Sequence, residues 1–172
     1  MALTEFCANG DLKGVKAALQ SGVDVNKKDK DGWTGLMWAA KESHNSVVEL
    51  LLKMPNVEVN LKSDSGNCAL RSAVVWENNE ALRLLLDCPS IDVNILAKDG
   101  ESVLHRAVSN NNIKGLKLLL DFQTIDVNIV ANDGRSTLHV AVLNRNNTEP
   151  LKLVLSHRVT FNEGETFFFL TE

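Results

Sequence analysis

Apolar positions along this chain come in paired short bursts. Leu36, Ala39 and Ala40 stand at i, i+3 and i+4, one face of a helix of about two turns. Val47, Val48, Leu51 and Leu52 make a second stripe a few residues later, with Glu49 pointing away. The first burst returns as Leu70 with Ala73, Leu104 with Ala107, and Leu138 with Ala141. The second returns as Leu84-Leu85-Leu86, Leu118-Leu119-Leu120 and, one residue late, Leu153-Val154-Leu155. Arg83, Lys117 and Lys152 take the place of Glu49, as a solvated outer face requires. Ahead of the first burst stand Asp31-Gly32, Asp99-Gly100 and Asp133-Gly134, which signal turns because glycine accepts positive φ. Thr34, Ser102 and Ser136 follow, with hydroxyls suited to a helix N-cap.

The beat is 34 residues: Gly32, Gly66, Gly100 and Gly134 keep it, as do Val25-Asn26, Val59-Asn60, Val93-Asn94 and Val127-Asn128. A fixed period of this size signals stacked repeats. Helices shorter than about 12–15 residues are marginal alone in water, and stacking neighbouring units buries both apolar stripes at once. The expected fold is therefore an all-α solenoid of turn–helix–helix units in an elongated curved array. Residues 1–28 read as an N-terminal capping unit without a hairpin, whose second helix runs from Leu12 to Leu19 with Lys13, Lys16 and Gln20 outward. Residues 29–62, 63–96 and 97–130 are repeats, 131–158 is the last repeat, and 159–172 is a C-terminal cap or tail. The last unit carries an extra residue near Arg145-Asn146-Asn147, and Thr148-Glu149-Pro150 reads as a cap and first turn. After His157 the pattern fails, and the stretch from Val159 to Leu170 reads as a hairpin or extended tail. Phe167, Phe168 and Phe169 are too apolar to be left in water. They are expected to cap the last apolar face, with self-association as the other use.

Composition narrows the function. Eighteen Lys+Arg against 22 Asp+Glu leave a net charge of −4, which argues against a chain built to hold nucleic acid. No apolar run approaches the ~20 residues that cross a bilayer, so no membrane partner is expected. Cys7, Cys68 and Cys88 are far apart, odd in number and without a Cys-x-x-Cys pair. That excludes a disulfide scaffold or a cysteine-rich zinc module and fits an intracellular protein, cytoplasmic or nuclear. There is no nucleophile elbow, phosphate-binding glycine loop or paired metal-ligand motif. The aspartates at the turn tips are spaced along the array and do not converge, so no enzyme, cofactor or metal is expected.

These residues resemble the ankyrin repeat. Its Asp-Gly-x-Thr-Pro-Leu-His-x-Ala-Ala pattern is similar to Asp31-Gly32-Trp33-Thr34-Gly35-Leu36-Met37-Trp38-Ala39-Ala40. The stretches Asp99 to Val108 and Asp133 to Val142 follow it too, and the likeness covers about residues 3 to 157. Gly35, Ala69, Val103 and Thr137 replace the motif proline, and the units run to 34 residues where the family has about 33. The resemblance implies a structural role for His105 and His139, tying turn to first helix with Ser102 or Ser136 as neighbours. His44 and His157 are single and surface-like. Cys68 replaces the usual Thr or Ser at a helix start, where the dipole would favour a thiolate. A small residue filling a tight junction is the expected reading there, and Cys7 and Cys88 read as core or near-core.

The resemblance also implies that partners meet the hairpin tips and the exposed side of the first helix, which line a concave groove. Those positions are Lys30, Asp31, Trp33, Lys41 and Glu42 in the first full unit and Asp64, Ser65, Asn67, Val75 and Trp76 in the second. The third supplies Lys98, Asp99, Glu101, Ser109 and Asn110, the fourth Asn132, Asp133, Arg135, Leu143 and Asn144, and Trp38 and Arg106 adjoin them. All three tryptophans thus fall on or beside the groove, and tryptophan is enriched at binding hot spots. The expected function is non-catalytic: the groove of the first two full units holds an apolar segment of another protein. A first alternative is a nucleotide-like small molecule stacked on Trp33, although Asp31 and Glu42 counter Lys30 and Lys41. A second treats the chain as a substrate of an asparaginyl hydroxylase. Asn60, Asn94 and Asn128 each follow a leucine by eight residues and an acid-Val pair directly, a pattern that resembles that enzyme's sites.

Overall fold

The computed structural model describes residues 2–144 and 147–161, with side chains described as far as His157. The described residues form ten α-helices and no strand, only isolated bridges joining Lys28 to Thr34 and Val130 to Ser136. Inner helices are α1 (Leu3–Ala8), α3 (Gly35–Lys41), α5 (Ala69–Val75), α7 (Val103–Ser109) and α9 (Thr137–Leu143). Outer helices are α2 (Leu12–Gln20), α4 (Asn45–Leu52), α6 (Asn79–Leu86), α8 (Ile113–Leu120) and α10 (Glu149–Phe161). Inner packs on inner and outer on outer, each against its neighbours in turn, and one apolar core runs through the array.

Local chemistry sets the ends of each helix. Thr34 and Cys68 cap α3 and α5 through bonds from the Met37 and Arg71 N–H groups at 3.3 and 3.4 Å. Inner helices α3, α5 and α7 give way to a residue in the left-handed region, Ser43, Glu77 and Asn111. Asn78 and Asn112 then cap α6 and α8, while their side-chain N–H groups each reach back 3.1 Å to a carbonyl of the previous unit's inner helix, Ala40 of α3 or Val74 of α5. One buried asparagine thereby closes a helix and binds two units, which is why a mostly apolar interior keeps it. Cys68 is buried, and that burial pushes its thiol up despite bonds from the Arg71 and Leu70 backbone, so it fills the junction as a thiol. Burial pushes the Cys7 thiol up as well, to about 12.

One sequence expectation changes. Val159, Thr160 and Phe161 continue α10 as helix, so the hairpin or extended tail does not begin at residue 159. Val159, Thr160 and Phe161 include no proline or glycine, so the backbone can continue the helix begun at Glu149. Phe167, Phe168 and Phe169, with the capping or self-association expected of them, lie outside the described residues, as do Arg145 and Asn146.

Candidate functional site

The exposed ends of α3 and α5 bring the three indoles together. Trp38 and Lys41 are three residues apart on α3 and share its outward side, while Trp33 stands immediately before the Thr34 cap. Trp33 and Trp38 pack with ring centroids 4.9 Å apart and planes tilted by 38°. Trp76 is the C-cap of α5 and 56 % exposed, a large apolar surface left in water. The Lys41 ammonium lies between them, 4.6 Å from the Trp38 ring centroid, 5.1 Å from Trp76 and 6.0 Å from Trp33. A cation over indole faces is attracted by the ring quadrupole, so Lys41 bridges tryptophans of two units. Its other partner is Glu42, at 3.1 Å.

Asp29, absent from the sequence reading, orients this cluster. Its carboxylate accepts the Trp38 indole N–H at 2.7 Å and the backbone N–H groups of Trp33 and Asp31, each at 2.9 Å. Partial burial alone would raise its pKa. The Trp38, Trp33 and Asp31 bonds and the charge of Lys30 outweigh that and hold it below the ordinary aspartate range. A lone acid four residues ahead of a tryptophan gave no periodic signal by which to find it.

Beyond Trp76 lies a charged quartet. Arg71 contacts Glu101 at 3.3 Å and Asp99 at 3.6 Å, and Arg106 contacts the same acids at 2.7 and 3.5 Å. Arg71 also donates to the Glu101 carbonyl at 3.3 Å, which locks the second full unit to the third. Trp33, Trp76 and, from the quartet, Arg71, Asp99 and Arg106 border one open cleft of about 530 Å³, to which Asn67, Val75, Lys98 and Asn110 also contribute. Arg71 escaped the sequence reading because it occupies the motif-histidine position, which the family pattern marks as structural.

The other expected positions scatter. Lys30, Asp31 and Trp38 border a separate cleft against α1, so Trp38 faces the N-terminal cap as much as the groove. Arg135 and Leu143 lie beside α9, the last inner helix among the described residues, far along the solenoid from the tryptophans, and Asn144 caps α9. Asp64 is exposed at its tip, its N–H donating to the Asp31 carbonyl at 3.3 Å. Asn67 and Asn110 give their amides to the Ser72 hydroxyl and the Val75 carbonyl, which makes them partly structural. Nor do the expected contact positions line one continuous groove: the cleft of the first three full units takes central ones and leaves both ends outside.

The asparagines proposed as modification sites are staples where their bonds are seen. Asn60 donates to the Ser90 carbonyl at 2.7 Å and accepts from the Asp92 N–H at 2.9 Å. Asn94 makes the same pair with Thr124 and Asp126, each at 2.8 Å, while Asn128 is exposed. His105 also ties units. The Ser102 N–H donates to its Nδ1 at 3.3 Å, which places the ring proton on Nε2, and Nε2 donates to the Arg135 carbonyl at 3.1 Å. Among the described residues no cluster of His, Cys, Asp or Glu is arranged to hold a metal ion, and no helix is long and apolar enough to cross a membrane.

Comparison with known proteins follows the same periodicity. The ankyrin-repeat family, described as three copies of the repeat, matches residues 3–97 and again 89–164. The human ankyrin repeat domain-containing protein 40 is 48% identical over 52 residues, 30% of this chain and 14% of that protein. Rat osteoclast-stimulating factor 1 is 40% identical over 55 residues, 32% of this chain and 26% of that protein. Human mitochondrial disaggregase is 45% identical over 51 residues, 30% of this chain and 7% of its own length. The chain thus spans about a quarter or less of each of these relatives.

Proposed function

Because the chain belongs to the ankyrin-repeat family, whose arrays generally bind other proteins, we propose that it is a non-catalytic interaction module with its binding site in the Trp33–Trp76 cleft. One observation carries the reading: three indoles from two units converge on Lys41 at the mouth of an open cleft, and Trp76 remains largely exposed. Exposed, clustered tryptophan is costly to keep in water and is among the strongest contributors at interfaces. The cleft also carries Lys41 and Lys98 beside the Arg71–Arg106 quartet, so its cations outnumber its acids. The partner segment that fits has an apolar side chain to lie between Trp33 and Trp76 and an acidic residue to meet Lys41 or Lys98. Free Cys7, Cys68 and Cys88 suit work in a reducing compartment, cytoplasm or nucleus.

The geometry favours a protein segment over a stacked nucleotide. Trp33 already packs against Trp38 and Lys41, and two of the four cations in the cleft are held by Asp99 and Glu101. Hydroxylation of Asn60 and Asn94 draws no support from amides that staple loops.

The test is affinity capture with the wild-type chain beside Trp33→Ala/Trp76→Ala, with helical circular dichroism measured on both. Proteins retained by the wild type and lost from the double variant, at unchanged helicity, support the cleft. Retention of the same proteins by both removes it.

A further inference from the structure

The space between the three indoles is already filled by a cation, and that cation belongs to the chain itself. Trp33 and Trp38 form two walls, 4.9 Å apart and tilted by 38°, and Trp76 of the next unit supplies a third. The Lys41 ammonium stands 4.6 to 6.0 Å from the three ring centroids. Its side chain is 23% exposed, low for a lysine, and Glu42 at 3.1 Å is its ion-pair partner.

Stacking does not require these side chains. One unit on, Asn67, Ser72 and Val75 take the places of Trp33, Trp38 and Lys41, and α5 still packs on α7. Where Trp76 stands, the neighbouring units have Glu42 and Asn110. The aromatic walls are therefore particular to this junction. Asp29, replaced by Ser63 and Ala97 in later units, sharpens them: its carboxylate accepts the Trp38 indole N–H at 2.7 Å. An anion on that N–H pushes electron density into the ring and deepens the negative potential over its face, where a cation sits.

Lys41 is an exchangeable occupant. It is the last residue of α3, and its long stem loses rotamer freedom while the ammonium is held among the rings. Turned outward, the ammonium regains water and can keep Glu42. A partner's cation can then take the slot, and exchange of one cation for another leaves the charge of the cleft unchanged. The walls select the kind of cation. An unmodified ammonium carries three N–H donors and would give up water for carbon surfaces. A trimethylated one keeps its charge, has no donor to satisfy and lays its methyl groups on the ring faces.

We propose that the slot receives an N-methylated lysine of a partner protein, with Lys41 as the resident competitor that the partner displaces. This rests on the Trp33–Trp76 cleft being the binding site and adds which side chain lies between the indoles. An acidic neighbour in the partner then meets the released Lys41 or Lys98.

The test uses the full chain and its indole emission. The probes are a short peptide carrying trimethyllysine, the same peptide with unmodified lysine, and the same peptide with the neutral tert-butyl isostere. The trimethylated peptide should bind at least about tenfold more tightly than the other two, as a desolvated cation–π contact allows. Lys41→Met removes the competitor and should tighten that binding by about another tenfold, while Trp76→Ala should abolish the discrimination. Lys41→Gln is the second competitor-free variant should Lys41→Met lose helicity. In the free chain the Lys41 methylene protons should resonate upfield under the indole ring currents and return to ordinary positions when the peptide is added. Equal binding of the isostere, or no binding of the trimethylated peptide to wild type and to Lys41→Met, would overturn the proposal. So would an affinity unchanged by replacing Lys41. Proteins captured by the wild type and lost from Trp33→Ala/Trp76→Ala would still leave the cleft as a protein site in those cases, so the two readings fail separately.

Discussion

The third and fourth full units carry the same motif and do not have the same structure. Ser102 and His105 are fully buried, and the imidazole bridges its own turn and the next unit's carbonyl. Ser136 and His139 form the same local pair, with the Ser136 hydroxyl 2.8 Å from Nδ1, but His139 stands exposed. Likewise Leu104 is fully covered and Leu138 is not. A motif residue therefore has two jobs, one within its unit and one across to the next, and only a following unit engages the second. The worth of an identical side chain depends on its address in the stack.

Truncation in the two units should expose that difference most strongly. Leu104→Ala is expected to cost about 3 kcal/mol, as large-to-small changes in closed cores do. Leu138→Ala should cost about 1 kcal/mol, because a half-buried leucine has less to lose. Equilibrium urea unfolding of both variants checks this, and equal losses would mean that α9 is as well covered as α7. The histidines come next. His105→Ala removes bonds on both ring nitrogens in a buried site and should cost about 2 kcal/mol, against less than about 1 kcal/mol for His139→Ala. Thermal melts of the two would erase the comparison if they coincide.

The smallest effect lies at the other end of the array. Asp29 has no equivalent in the later units, where Ser63, Ala97 and Ala131 hold its place. Its pKa is lowered in the folded chain, so the stability it adds is present above the ordinary aspartate value and lost as pH falls through the folded value. Acid titration of tryptophan emission should therefore show a step below the usual carboxylate range. Asp29→Asn should remove that step, while amide protection in α9 is unchanged by it.

Much of the fold was legible in the sequence because each signal was local and recurred. A glycine, a hydroxyl cap and a leucine at fixed offsets specify a turn and a helix start wherever they fall, and repetition separates them from chance. Less of the site was legible. The tryptophans could be placed beside the groove by counting, but Asp29 and Arg71 could not. Asp29 matters because its carboxylate meets the Trp38 indole, and Arg71 because Glu101 arrives from thirty residues away. Neither relation is periodic. The clefts divided for a similar reason: Lys30 and Arg135 both stand at hairpin tips, yet one borders a cleft against α1 and the other a cleft beside α9.

What the amino acids determined by themselves is the unit: where its turn lies, which faces of its helices are apolar, and that it must stack to survive. Tertiary structure decided what each copy of the unit became. Burial, the partner of a charged side chain and the fate of a motif histidine depend on a neighbour supplied by a distant part of the chain. A side chain's free energy is fixed by what replaces its water, and spacing alone does not say what that is.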